Sequence, residues 1–227
     1  MTSQRKQAAR PKQLAFSLRT WGGKRAGAGR KPSGGRAGVP HRTRPPLAAR
    51  FPVHVTLRMQ PEVYNLRSRR SYRVLETAFW AGAERFGLRL CGFSVQGNHL
   101  HLLVEAADRL ALSRGLKGLS VRIAKRMNAM MQRHGRVLAD RYHAHILRTP
   151  TEVLRAKNYL RNNRRQHRAK WGKPVTEGYL DPYCSESKEC KVALPRPQTW
   201  LLKAGHSRGG PKTQPELARA TDFGGAS

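Results

Sequence analysis

Residues 51–168 are predicted to form an α+β fold of the ferredoxin-like split βαβ type, a β-α-β-β-α-β antiparallel sheet with an added C-terminal helix. Three observations point to it. Alternating apolar segments and segments of helical period follow one another in that order. The tight-turn dipeptide Gly97-Asn98 lies at the junction of two of the strand segments. A further helical segment follows the last strand, just beyond Pro150.

The first strand is read in Phe51-Pro52-Val53-His54-Val55-Thr56-Leu57-Arg58-Met59, which alternates and is β-branched. A helix follows near 70–86: Leu75, Ala78, Phe79, Gly82 and Phe86 fall on one apolar stripe, and Gly87 suits its C-terminus. Leu88–Val95 is the second strand and Asn98–Glu105 the third. The next helix is expected over 109–134, where Leu112, Leu116, Leu119, Ile123, Met127 and Met130 keep the 3.6 period and Gly135 ends it. Tyr142–Arg148 is the fourth strand, stopped by Pro150. Thr151 is the expected cap of the last helix, which runs to about 167.

Two tails flank this domain of residues 51–168. Residues 1–50 hold 13 Lys/Arg and no acid, and the Gly/Pro/Arg-rich run 22–46 cannot bury enough surface to offset the entropy of ordering it. This arm is expected to be disordered when free, either contacting DNA or acting as a solubilising tail. Residues 169–227 are a C-terminal extension, Gly/Pro-rich from 172, in which Trp200-Leu201-Leu202 is an apolar cluster able to dock back on the domain.

Composition narrows the function. Among 227 residues, 45 Lys/Arg against 13 Asp/Glu leave a net charge of +32, which argues against a metabolic enzyme for small neutral substrates and for a polyanionic partner. No stretch reaches the ~18 apolar residues of a membrane span. The N-terminus is basic but has no apolar signal-peptide core. It shares its Arg-rich, acid-free character with organellar transit peptides, yet that character persists along the whole chain, which favours nucleic acid. Three cysteines (Cys91, Cys184, Cys190) are too few for a disulfide framework. The Cys184-x5-Cys190 spacing is poor for zinc.

The most informative segment is Asn98-His99-Leu100-His101-Leu102-Leu103-Val104. On a strand, His99 and His101 share a face about 7 Å apart, while Leu100, Leu102 and Val104 point the other way into packing. Two neutral imidazoles so placed can hold a divalent ion if a third ligand arrives from elsewhere; without one they are half-buried sheet histidines. A second His-x-His, His143 and His145, lies on the fourth strand and His54 on the first, so the pattern by itself does not choose a site.

The last helix offers the missing groups. Tyr159 and Asn163, at i and i+4, project from one face, better aligned than Asn162 at i+3. A phenol beside a carboxamide can serve as a nucleophile beside a metal ligand, although on spacing alone a tyrosine on a helix is usually packing. Around them Arg155, Lys157, Arg161, Arg164, Arg165 and Arg168, with Lys170 and Lys173, give eight positive charges and no acid across 155–173. Such a setting is expected to lower the phenol's pKa from about 10 and to anchor a phosphodiester chain.

The combination resembles the single-tyrosine HUH transposases, most closely the REP-associated tyrosine transposases. The His-hydrophobic-His strand with its preceding Asn98, the Tyr159-x-x-x-Asn163 pair, and the order of elements carry the resemblance over roughly 51–168. One departure is visible: many members have Asn-Pro after the tyrosine, whereas this chain has Asn162-Asn163-Arg164, which should lengthen the helix.

The resemblance implies that His99, His101 and Asn163 coordinate Mg²⁺ or Mn²⁺. It implies that Tyr159 attacks a phosphate of single-stranded or hairpin DNA, leaving a 5′-phosphotyrosyl enzyme and a free 3′-hydroxyl. The covalent bond conserves energy, so no ATP is needed, in keeping with a chain that has no P-loop. Hairpin recognition would fall to the Arg-rich helix and to the arm that carries Lys24, Arg25, Arg30 and Lys31. A cytoplasmic, nucleoid-associated bacterial protein is implied. Relatives act as monomers or as homodimers, and no heptad seam decides between them here. The alternative class is a non-catalytic nucleic-acid binder on the same scaffold. Such a binder would stack bases on sheet aromatics, but aromatic residues make up only 7% of this chain.

Overall fold

Val53–Arg58 forms β1, where Val53, Val55 and Leu57 are buried on one side while His54 and Thr56 face the other. The computed structural model describes residues 44–173 and 178–210. The side chain of Lys170, the arm with Lys24, Arg25, Arg30 and Lys31, and the residues from 211 onward lie outside it.

The first helix, α1 (Arg69–Gly82), starts at Ser68, whose hydroxyl accepts from the Ser71 N–H at 3.2 Å. It buries Leu75, Ala78, Phe79 and Gly82 but ends a turn before the expected Phe86. Instead Glu84–Arg85 forms a short strand, β2, paired with Arg89 and Leu88 of β3 (Leu88–Val95). Phe86 and Gly87 make the turn with φ of 58° and 74°, the left-handed geometry of a two-residue hairpin. Pairing with β3 satisfies backbone groups that another helical turn would have satisfied internally, and Phe86 is left exposed.

Gly97-Asn98 does form the expected turn. Val95 pairs with Leu100 of β4 (His99–Ala106), and the Gln96 N–H donates to the His99 carbonyl at 2.9 Å. A register shift between Leu90 and Gly92 leaves Cys91 as an extra residue in β3. Leu88 and Leu90 before it, and Phe93 and Val95 after it, therefore all belong to the same core.

The second helix, α2, spans Arg109–Met131 and buries Leu112, Leu116, Leu119, Ile123 and Met127, as the period required. It stops short of Gly135 because Gln132 turns left-handed and the N–H groups of Gln132 and Arg133 bond back to Ala129 and Asn128. At Gly115 a Cβ would stand 2.3 Å from Leu88 Cβ, so glycine is what lets α2 lie this close to the sheet.

After the edge strand β5 (His143–Ile146), α3 runs over Pro150–Lys170. Its cap is Thr149 rather than Thr151. The Thr149 hydroxyl accepts from the Glu152 N–H at 3.2 Å, and the Glu152 carboxylate accepts from the Thr149 N–H at 3.0 Å, a capping box with Pro150 in the first helical turn. Thr151 instead donates its hydroxyl to the Gly209 carbonyl. The absence of a proline after Asn163 lets α3 continue unbroken to Lys170.

The strands lie in the order β2-β3-β4-β1-β5, and every paired neighbour is antiparallel. Without the short β2 this is the split βαβ arrangement. Helices α1 and α2 cover one face over the main core. On the other face Leu103 packs with Leu147, with Val153, Ala156 and Leu160 of α3, and with Leu201 and Leu202 of a short helix, α4 (Trp200–Lys203). Leu201 and Leu202 pack there while Trp200 is exposed, and the segment is anchored where buried Glu105 accepts from the N–H groups of Gln198 and Thr199 and from the Thr199 hydroxyl.

Candidate active site

The α3-facing side of the sheet is a histidine face. Cross-strand register sets Thr56 of β1 opposite His101 of β4 and His143 of β5, and Arg58 opposite His99. His54 is paired with Leu103 and His145. The rings of His99 and His101 stand 4.8 Å apart, and those of His54 and His101 5.3 Å apart.

Each of the two β4 imidazoles is oriented through one nitrogen. Asn98 Oδ1 lies 2.8 Å from His99 Nδ1, and Thr56 Oγ1 lies 3.2 Å from His101 Nδ1. When those oxygens accept from the Nδ1–H groups, each Nε2 is left with its lone pair, the form a metal ligand needs.

From α3 the Tyr159 hydroxyl reaches His101 Nε2 at 3.3 Å, with the two rings edge to face at 4.9 Å. Leu160 and Ala156, packed against Leu103, set the helix at this height above the sheet. Asn163 is 1% exposed. Its amide favours the Tyr159 phenolate, and among the described residues Nδ2 has no hydrogen-bond partner of regular geometry. His167, one turn further, faces His99 at 6.4 Å between ring centroids.

Burial controls the protonation of the cluster. Desolvation, reinforced by His145 and His143, lowers His54 to about 4. Desolvation, with His167 and Arg58 adding to it, lowers His99 to about 4. His101 falls to about 2, first through desolvation and then through His99, His54 and His167. All three are neutral near pH 7. The Tyr159 expectation is corrected: desolvation raises its pKa, opposed only by Asn163. The phenol is wedged against the sheet, whereas Arg161 and Arg165 are exposed to solvent.

A family model described as "Transposase IS200 like" matches residues 50–163, a span that contains the histidine strand and ends on Asn163. The chain belongs to this family. Among curated proteins none matches it. Two solved structures are similar to this IS200-like chain. One is a REP-associated tyrosine transposase bound to a REP hairpin, at 14% identity and a TM-score of 0.46, with 57% of this chain and 74% of that chain covered. The other is a putative transposase from Deinococcus radiodurans, at 16% identity and a TM-score of 0.37, covering 64% of this chain and all of the other.

In this IS200-like transposase the other basic residues of α3 fall into two groups. Arg155 and Arg165 are exposed. Lys157 lies 3.1 Å from His206 Nε2, Arg161 is 3.8 Å from Glu186, Arg164 sits over the Trp171 ring, and Arg168 donates to the Lys173 carbonyl. His143 and His145 share the site's face but occupy its exposed edge, where His145 lies 3.9 Å from Glu152. Sequence reasoning did not single out Thr56 or His167. The alternation of β1 puts Thr56 beside His54, and His167 lies four residues beyond Asn163. No helix among the described residues is long and apolar enough to cross a membrane.

Proposed function

We propose that this transposase is a metal-dependent, single-tyrosine endonuclease and strand transferase acting on single-stranded DNA at hairpin-containing repeats. The observation that carries this reading is the approach of the Tyr159 hydroxyl to His101 Nε2 at 3.3 Å, beside His99. The donor set suits a divalent ion: two imidazoles kept neutral by burial, each oriented from its Nδ1 side, and a buried amide with an unpaired polar atom. His99, His101 and Asn163 would hold Mg²⁺ or Mn²⁺. When bound, the ion supplies Lewis-acid polarisation of a phosphate oxygen.

Tyr159 is the nucleophile. Its oxygen bonds to phosphorus while the bond from phosphorus to the 3′-oxygen breaks. The phenol proton leaves to solvent and the departing 3′-oxygen becomes a hydroxyl. Thr56 and Asn98 hold the imidazoles so that the phosphate and the phenol meet in one geometry. Attack of another strand's 3′-hydroxyl on the phosphotyrosine reverses the exchange, restores the phenol and needs no ATP. Arg155, Arg161, Arg164, Arg165 and Arg168 hold the backbone, and the arm with Lys24, Arg25, Arg30 and Lys31 adds hairpin contacts.

The test is mass spectrometry of the full chain incubated with Mn²⁺ and a single-stranded repeat oligonucleotide. A DNA adduct mapped to Tyr159, absent from Tyr159→Phe and absent in chelator, is expected. An adduct on another residue, or none with the wild-type chain, overturns the reading.

A further inference from the structure

Tyr159, Asn163, His167 and Trp171 follow one another at intervals of four residues. On a helix of 3.6 residues per turn that spacing lines one slowly drifting stripe. The stripe begins at the phenol and ends at the last turn of α3, where the N–H of Trp171 bonds to the carbonyls of His167 and Arg168. Ring contacts connect it throughout: Tyr159 to His101 at 4.9 Å, His101 to His99 at 4.8 Å, His99 to His167 at 6.4 Å, and His167 to Trp171 at 5.8 Å.

The Trp171 ring is exposed, and unlike the more exposed Trp80 it lies at the end of the basic helix that carries Tyr159. It is 61% accessible, although His167 lies alongside it with planes tilted by 35° and the Arg164 guanidinium lies 5.4 Å from its centroid. An indole fixed at its backbone, flanked by a guanidinium and an imidazole and open on a broad face has little to gain from this position in the free protein, since it buries so little apolar area. Charge complementarity selects the class of ligand. No acid occurs between Arg155 and Lys173, so the surroundings suit a polyanion, while the indole suits a flat π-system. A nucleotide in a single strand carries both.

We propose that Trp171 is a stacking platform for an unpaired nucleobase of the bound strand, about three turns of α3 beyond the Tyr159 phenol, with Arg164 and His167 holding the indole in place. The inference rests on the single-stranded substrate proposed above and adds a subsite to it. Phosphate contacts along α3 give no information about base presence; a stacked indole does.

The test removes base and indole separately. Binding of the full chain is measured by fluorescence anisotropy in chelator, where no strand is cut, using labelled oligothymidylate and an abasic oligomer of the same length. Wild type is expected to prefer oligothymidylate. Trp171→Ala should weaken that binding by about 5- to 150-fold and leave the abasic oligomer unaffected, while Trp171→Phe, which keeps a π-face, should retain most of the preference. Trp171→Ala binding oligothymidylate as wild type does, or losing both ligands equally, overturns the proposal. Because nothing is cleaved in this assay, failure of the Tyr159 adduct experiment would leave its result standing, and the reverse also holds.

Discussion

Thr56 Oγ1 lies 3.2 Å from Nδ1 of His101, on the side of the ring opposite the Tyr159 hydroxyl. A β-branched residue of β1 thus sets the ring angle of a residue on β4 that pairs directly with it. Removing the hydroxyl while keeping the shape isolates that role. Thr56→Val is expected to weaken Mn²⁺ binding by about 10- to 100-fold, measured by calorimetric titration, whereas Thr56→Ser should stay close to wild type. Unchanged affinity in Thr56→Val would show that Thr56 does not orient the ring.

The buried histidines make stability depend on pH. His54, His99 and His101 are lowered to about 4, about 4 and about 2, below their ordinary value of about 6.5. Between those values and 6.5 the unfolded chain binds more protons than the folded one. Stability is therefore complete above pH ~6.5 and falls as the pH drops, by up to about 1.4 kcal/mol per pH unit for each histidine. Urea unfolding in chelator across this range should show the slope, and His54→Gln should reduce it. A flat profile would contradict the neutral cluster.

Helix α3 depends on its first turn. The capping box between Thr149 and Glu152 satisfies donors at the end of the helix that carries Tyr159. Thr149→Ala is expected to cost about 1 kcal/mol in urea unfolding, and Thr151→Ala, which removes no cap, less than that. The reverse ranking would restore Thr151 as the cap.

Glu105 tethers the C-terminal segment to the sheet. It is 4% exposed and accepts from Gln198, Thr199 and Arg89. Glu105→Ala leaves those donors without their partner, so protease cleavage within 195–210 should accelerate well before the domain unfolds. Equal cleavage rates in the two proteins would show that Leu201 and Leu202 hold the segment unaided.

Much of the fold could be read in local pattern. The alternation of Val53, Val55 and Leu57, the repeat from Leu112 to Met127 and the Gly97-Asn98 turn each act within a few residues, where backbone hydrogen bonding and side-chain direction follow the period. The ends were harder. Phe86 continued the stripe of α1 yet lies in a hairpin turn, because β3 competed for the same backbone groups. At the site, the shared face of His99 and His101 and the proximity of Tyr159 to Asn163 were local facts. Their meeting was not.

The sequence by itself determined the order of the main elements (though not the short β2), the positive charge that suits a polyanion, and which chemical groups share a strand face or a helix stripe. Only the tertiary structure decided that α3 lies back over β4 at a height that brings the Tyr159 hydroxyl to His101, that Thr56 and His54 flank that ring, and that burial raises the phenol's pKa. The reason is that register and helix docking come from burial between residues far apart in the chain, here Leu103 against Leu160, Leu147, Leu201 and Leu202, and no short window of sequence contains that sum.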